Sequence, residues 1–253
     1  RYNNELGANF FFEVCDSFSS FKKYIKELLK TIPPWFERKD VELMVYCHAQ
    51  DIAEDESLIH ALKRLKVKRV NIGLDSISPE ALAALRKART SKKDNEMDKI
   101  NRIAVERLLK AGIQIHASFI VGAIGEEWEW LEDTIEYIKC LARLPNVVTI
   151  EFSRLVPLPS SPIWDIFLLR DSSSYYSEGI HEVLRRYKLV ISDSDKSKLQ
   201  EKYGKTHILD LESMAKDWIT YFTHLENERV CKIIQEINDF LRLQGKVTGV
   251  NVV

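Results

Sequence analysis

Carboxylates and imidazoles are the side chains here best suited to polar chemistry, and several stand at the ends of short apolar runs. Asp16 follows residues 9–14, His48 follows 42–46, Asp75 follows 69–74, and His116 lies within 114–121. Neutral imidazole with carboxylate is the usual mixed ligand set for a divalent metal, so Asp16, His48, Asp75 and His116 could serve a metal-dependent hydrolase. Their spacing builds no ligand set by itself, because there is no His-x-His or other close pair. Tyr46, Cys47, His48 and Arg154 also end apolar runs and would face one mouth, but no single residue stands out as a catalytic acid, base or nucleophile. Cys15, Cys47, Cys140 and Cys231 are widely scattered, with neither the close pairs of a zinc site nor the density of a disulfide scaffold. They read as reduced thiols.

Positioning such residues requires strands that end at a common edge, and residues 114–138, QIHASFIVGAIGEEWEWLEDTIEYI, show the unit that does this. Residues 114–121 alternate and then run apolar, as in a strand buried on both faces of a parallel sheet. Gly122 and Gly125 break the run, Glu126 and Glu127 favour a helix N-terminus, and Leu131, Ile135 and Ile138 share a helical face. Loops at the carboxyl ends of such strands are where α/β folds place ligands. An ordinary βα turn would use the same glycines.

The pattern recurs along the chain. Residues 9–14 form an apolar run, and Asp16 or Ser17 could cap a helix over 18–32 that ends at Pro33-Pro34. Strand 42–46 is followed by a helix over 56–65, and strand 69–74 by a helix opened by Ser78-Pro79-Glu80 and running to 88. A polar, basic loop over 88–95 is the internal candidate for mobility. Helix 97–110 stops at Gly112, and strand 147–152 leads into a proline-punctuated loop over 153–162. Five βα units with short connections imply an α/β fold, a partial (βα) barrel of parallel strands over residues 1–165. Residues 166–253 read as a helical C-terminal extension. Its Trp218, Tyr221, Phe222, Leu225, Ile233, Ile234, Ile237, Phe240 and Leu241 form an apolar stripe, either intramolecular core or a surface for a partner helix.

Composition sets the bounds. The 253 residues are 45% hydrophobic and 30% charged, ordinary for a folded chain, with a net charge of −1. No global field draws in nucleic acid or an anionic membrane. No apolar run approaches the roughly 20 residues that span a bilayer, and a cytoplasmic location is the default expectation. The chain lacks an initiator Met and enters an apolar strand almost at once, so it is expected to be a piece of a longer protein.

Taken in order, the strand-end motifs resemble those of radical S-adenosylmethionine (SAM) enzymes, in particular the subgroup often fused to a cobalamin-binding domain. FEVCDSF at 12–18 is similar to that subgroup's F-x-D-D-x-F, NIGLDSIS at 71–78 to x-x-G-x-E-S-x-S, and ASFIVGAIGE at 117–126 to f-I-x-G-l-P-G-E. LEDTIEYI resembles the e-D-T-i-x-f helix, and PLPSSPIW at 157–164 resembles P-x-P-G-T-p-l-w. Cys15 stands where an acid is usual, Asp75 replaces Glu, Ala123-Ile124 replaces Leu-Pro and Ser160-Ser161 replaces Gly-Thr. The Cys-x-x-x-Cys-x-x-Cys that holds a [4Fe–4S] cluster in the family is absent. Since residues 9–14 match the family's second strand, the cluster ligands are expected upstream of Arg1; a cluster-free, degenerate barrel is the alternative.

The resemblance implies a parent enzyme that cleaves SAM reductively for radical modification or methylation of an unknown substrate. This chain alone is expected to be inactive. It also implies SAM and [4Fe–4S] as cofactors, admits cobalamin, and calls for an electron donor such as flavodoxin or ferredoxin. Adenine would lie against Ile120, Val121 and Gly122 and near Pro157, and Asp75 and Ser76 would meet the ribose or methionine groups. Asp16 would accept from the methionine ammonium and Arg154 would pair with a carboxylate. Helix capping by Asp16 and Asp75, and a structural ion pair for Arg154, are the alternatives on the residues alone. A non-catalytic SAM- or partner-binding module is the remaining reading.

Overall fold

The computed structural model describes residues 5–88, 96–170, 179–204 and 210–248, along which strands and helices alternate. Strands β1 (Phe10–Phe12), β2 (Glu42–His48), β3 (Val67–Asp75), β4 (Gln114–Val121), β5 (Val147–Arg154) and β6 (Val247–Thr248) lie in the sheet in sequence order. Every neighbouring pair is parallel. Sequential order with helical crossovers curls the sheet into a half-barrel.

The crossovers are α1 (Lys22–Thr31), then α2 (Ala49–Glu54) and α3 (Glu56–Arg64), then α4 (Pro79–Ala84) and α5 (Met97–Lys110), then α6 (Trp128–Ala142). Between β5 and β6 come α7 (Pro162–Phe167), α8 (Ile180–Arg186), α9 (Asp193–Tyr203), α10 (Leu211–Phe222) and α11 (Asn227–Leu243). Local chemistry sets these boundaries. Ser78 Oγ accepts from the Ala81 N–H at 3.3 Å with Pro79 opening α4, and Gly112, at φ 71°, ends the turn after α5.

Burial on β4 alternates strictly, which corrects the expectation of a strand covered on both faces. Ile115, Ala117, Phe119 and Val121 are fully buried, whereas Gln114, His116, Ser118 and Ile120 are only partly covered. The physical reason is that a half-barrel has no opposite wall. Helices cover one face, and the other opens into a cleft.

Two further features lie beyond the sequence reading, and a third bears on the alternatives it left open. A sixth strand, β6, pairs with Thr149 and Ile150 of β5. Helix α2 follows β2 without a break, its first turn capped by His48 Nδ1, which accepts from the Gln50 N–H at 3.2 Å. The apolar stripe of the C-terminal helices turns inward: Trp218, Phe222 and Leu241 are fully buried and Leu225, Ile234 and Ile237 nearly so. Trp218 and Phe222 stack at 4.6 Å, with Phe167 and Tyr203 beside them. Each such pair contributes about 1 kcal/mol beyond area burial, and these residues are intramolecular core, with Tyr221, Ile233 and Phe240 partly buried against it. Of the expected mobile loop, residues 89–95 lie outside the described residues.

Candidate functional site

Strand register brings one set of polar side chains onto the open face. Tyr46, Asn71, His116 and Thr149 align across β2 to β5, and His48, Gly73, Ser118 and Glu151 form the next row toward the carboxyl ends. Asp16, Ser17, Tyr46, Cys47, His48, Asn71, Gly73, Lys87 and Ser118 line a cleft of about 240 Å³ there. The turn carrying Ser17 is tied to the wall: Ser19 Oγ accepts from the His48 N–H at 2.9 Å and donates to Asp51 Oδ2 at 2.8 Å.

At the end of β3 the register slips between Gly73 and Asp75, and Asp75 takes a left-handed φ of 61°. A bulge of this kind re-aims a side chain beside a site. Lys87 Nζ lies 2.5 Å from Asp75 Oδ2, with both side chains mostly buried. A Cβ on Gly73 would stand 3.1 Å from that ammonium, so glycine leaves the space the lysine uses. Asp75 does not cap α4, because Ser78 performs that role.

Burial pushes the Cys47 thiol up to about 12, so it stays protonated rather than acting as a nucleophile. His116 Nε2 stands 3.0 Å from Glu151 Oε1, though without hydrogen-bond alignment. The contact with His116 holds Glu151 below the usual glutamate range and outweighs its partial burial.

The Gly122 loop is committed to the protein itself. Glu126 Oε2 accepts from the N–H groups of Gly122 at 2.5 Å and Ala123 at 3.0 Å, so this carboxylate folds back on the loop. Burial raises the Glu126 pKa to about 7 against those two donors. Trp218 Nε1 donates to the Gly122 carbonyl at 2.6 Å, the Gly125 N–H to the Phe222 carbonyl at 2.8 Å, and the His224 N–H to the Glu126 carbonyl at 2.9 Å.

Of the residues singled out in the sequence, Asp16, Asp75 and Ile120 belong to the open face, Asp16 as cleft lining, Asp75 through Lys87 and Ile120 by its alternation with Ser118. Ser76 is buried and bonded to Thr134 Oγ1 at 2.7 Å. Val121 is buried on the helix-covered face, and at Gly122, φ 116°, the space for a Cβ borders Ile219, Leu155 and Trp218. Arg154 bonds Asn227 Oδ1 at 2.9 Å and pairs with Glu212, as a structural ion pair would. Pro157 is buried in the loop after β5. Among the described residues no three His, Cys, Asp or Glu side chains gather to hold a metal, so Asp16, His48, Asp75 and His116 form no such set. Sequence reasoning missed Lys87, Asn71 and Ser118 on the open face, and it read Glu126 as a helix N-terminal charge and Trp218 as part of an apolar stripe, not as the groups that hold the Gly122 loop. Register across strands is the signal that finds Asn71 and Ser118; nothing local marks Lys87.

A parallel half-barrel with its polar cleft at the strand ends is one of the fold classes that carry cofactor chemistry. The sequence profile of the Radical SAM superfamily matches residues 16–138, a little under half of the chain, which is similar to that superfamily over this span. An uncharacterised methyltransferase of Synechocystis sp. is 27% identical over 167 residues, which cover 64% of this chain and 29% of the relative. The chain therefore spans less than a third of that protein's length. Among solved structures, the radical SAM methyltransferase TsrM from Kitasatospora setae, with cobalamin and a [4Fe–4S] cluster bound, is 15% identical. Its TM-score is 0.47, covering 95% of this chain and 53% of that one. Coproporphyrinogen III oxidase HemN from Escherichia coli, a radical SAM enzyme, is 14% identical with a TM-score of 0.45, covering 88% and 37%.

Proposed function

We propose that the strand-end cleft receives SAM, and that the chain is the ligand-binding half-barrel of a longer radical SAM protein of methyltransferase type. One observation carries this reading: Gly73 and Lys87 line a polar cleft of about 240 Å³, and the β3 bulge sets the Asp75 carboxylate against that lysine. The family match and the methyltransferase relative support it. A carboxylate there accepts from ligand hydroxyls or an ammonium, while Asn71, Ser118 and the backbone after β1 supply neutral partners. Ile120 offers an apolar surface to a base. When bound, SAM supplies a methyl group or, on one-electron reduction, radical chemistry; the chain's residues orient it and exclude water.

The described residues do not fit the iron–sulfur cluster, because no three of their cysteines gather. No step on this chain is routed through it. The β1 edge supports a place for such ligands: Phe10 and Phe12 in β1 and Val14 after it are 44%, 46% and 76% exposed, and among the described residues β1 is paired on one side only. A further parallel strand pairing there would cover these side chains and bring its own loop to the mouth. That strand and any cobalamin would belong to the longer protein, with a flavodoxin- or ferredoxin-type donor as its partner. Alone, the chain binds without reductive cleavage.

The test is calorimetric titration of the chain with S-adenosylhomocysteine. Saturable binding, weakened about tenfold in Asp75→Asn, is expected from loss of one charge-assisted hydrogen bond. No binding, or equal binding by the variant, refutes the assignment of the cleft.

A further inference from the structure

We infer that Trp218, on a helix far from the cleft in sequence, is a positioning residue for the ligand-facing strand end, an inference that rests on the SAM reading above. Residues 122–126 connect β4, which carries Ser118 and Ile120 on the open face, to α6. Their backbone makes few local bonds beyond the Glu126 carboxylate and the Glu126 N–H to the Ala123 carbonyl. The rest of their fixation comes from the C-terminal helices. Trp218 Nε1 holds the Gly122 carbonyl at 2.6 Å, and the Phe222 carbonyl holds the Gly125 N–H at 2.8 Å. Tyr187 packs where a Gly125 Cβ would be, and its carbonyl meets His224 Nε2 at 2.8 Å.

These contacts act on one short turn from behind while the ligand would meet the strand from the front. Trp218 is fully buried and stacked on Phe222, so its N–H is held in place by packing before any ligand arrives. A preorganised wall binds without ordering cost. Release of the Gly122 carbonyl leaves a buried acceptor unpaired and lets the turn, and with it the end of β4, move.

The test compares the whole chain with Trp218→Phe, which keeps an aromatic ring on Phe222 but deletes the donor. Ile237→Val, a buried change on α11, controls for a general loss of stability. Three quantities are read: S-adenosylhomocysteine affinity, thermal midpoint, and amide hydrogen exchange at residues 122–126. Trp218→Phe is expected to weaken binding about five- to tenfold and to speed exchange of the Gly125 amide. The control, at a similar loss of midpoint, changes neither. Unchanged affinity in Trp218→Phe, or an equal loss in the control, overturns the inference alone. Absence of binding by the unmodified chain overturns the SAM reading and this inference with it, whatever the exchange pattern.

Discussion

Glu126 makes the acid–base behaviour of the fold measurable. Its side chain is 1% exposed, and burial lifts its pKa from 4.5 to about 7. Both donated N–H groups meet the same oxygen, Oε2, so the other oxygen can carry a proton without breaking either bond. The folded state therefore binds this proton more tightly than the unfolded chain does. Its contribution to stability is complete below pH 4.5 and is lost as pH rises toward 7, at about 1.4 kcal/mol per pH unit. Integrated between 4.5 and about 7, the loss is about 3 kcal/mol. Glu126→Gln keeps an oxygen acceptor of the same shape and cannot ionise. Urea denaturation of both proteins from pH 4.5 to 8 should give a falling stability for the native chain relative to the variant. The variant should be about as stable at pH 4.5 and more stable by up to about 3 kcal/mol at pH 8. Groups titrating in both proteins cancel in this difference, including Glu151, whose depressed pKa acts in the opposite sense. Parallel curves would refute the reasoning, because they would show that the two N–H donors offset burial in full.

Two further predictions concern the tail. Gly125→Ala places a methyl group 2.5 Å from Tyr187 Cδ1 at a residue with φ 71°, and should cost about 2–4 kcal/mol in denaturant titration. Adding Tyr187→Ala should recover the steric part and leave the backbone part; no recovery would mean that Tyr187 is not the obstacle. Arg154→Ala removes the contacts to Glu212 and Asn227 from a side chain that is 7% exposed. Because Glu212 is half exposed, solvent screens the pair, and the expected loss is about 1–2 kcal/mol. A variant as stable as the native chain would show the ion pair to be superficial.

What the sequence made legible follows from how local each cause is. Strand β4 and helix α5 fall at 114–121 and 97–110 as read, because apolar period and the Gly112 stop are written within them. The Ser78-Pro79 start is equally local. Strand β6 has two residues, too few for any period, and exists through pairing with Thr149 and Ile150 about 100 positions earlier. Helix α2 follows β2 with no glycine or proline to mark the change. At the site, Asp75 was visible as a strand-end acid, but its pairing with Lys87 depends on a left-handed bulge that no residue type announces. Gly122 shows the converse. Its glycine is explained by a positive φ and by the crowding of Trp218 and Ile219, contacts made by a helix 96 residues away.

The same geometry accounts for the polar open face and for the exposed β1 edge. A closed (βα) barrel fills its interior with layered apolar side chains, so its strands are apolar on both faces. Here β4 presents Gln114, His116, Ser118 and Ile120 inward, beside Asn71 and Thr149 on its neighbours and Tyr46 one strand further. Such a row is stable only while water or a polar ligand satisfies it, and His116 Nε2, buried without hydrogen-bond alignment, marks where that satisfaction is incomplete. The aromatic edge makes the opposite demand: Phe10 and Phe12 are half exposed in a strand that, among the described residues, is paired on one side only, and such an edge favours cover by polypeptide. A strand added at β1 would satisfy the edge without filling the cleft, since its side chains alternate and its backbone pairs outward. Closing the sheet further thus leaves the polar interior open, which is the space the proposed ligand would use.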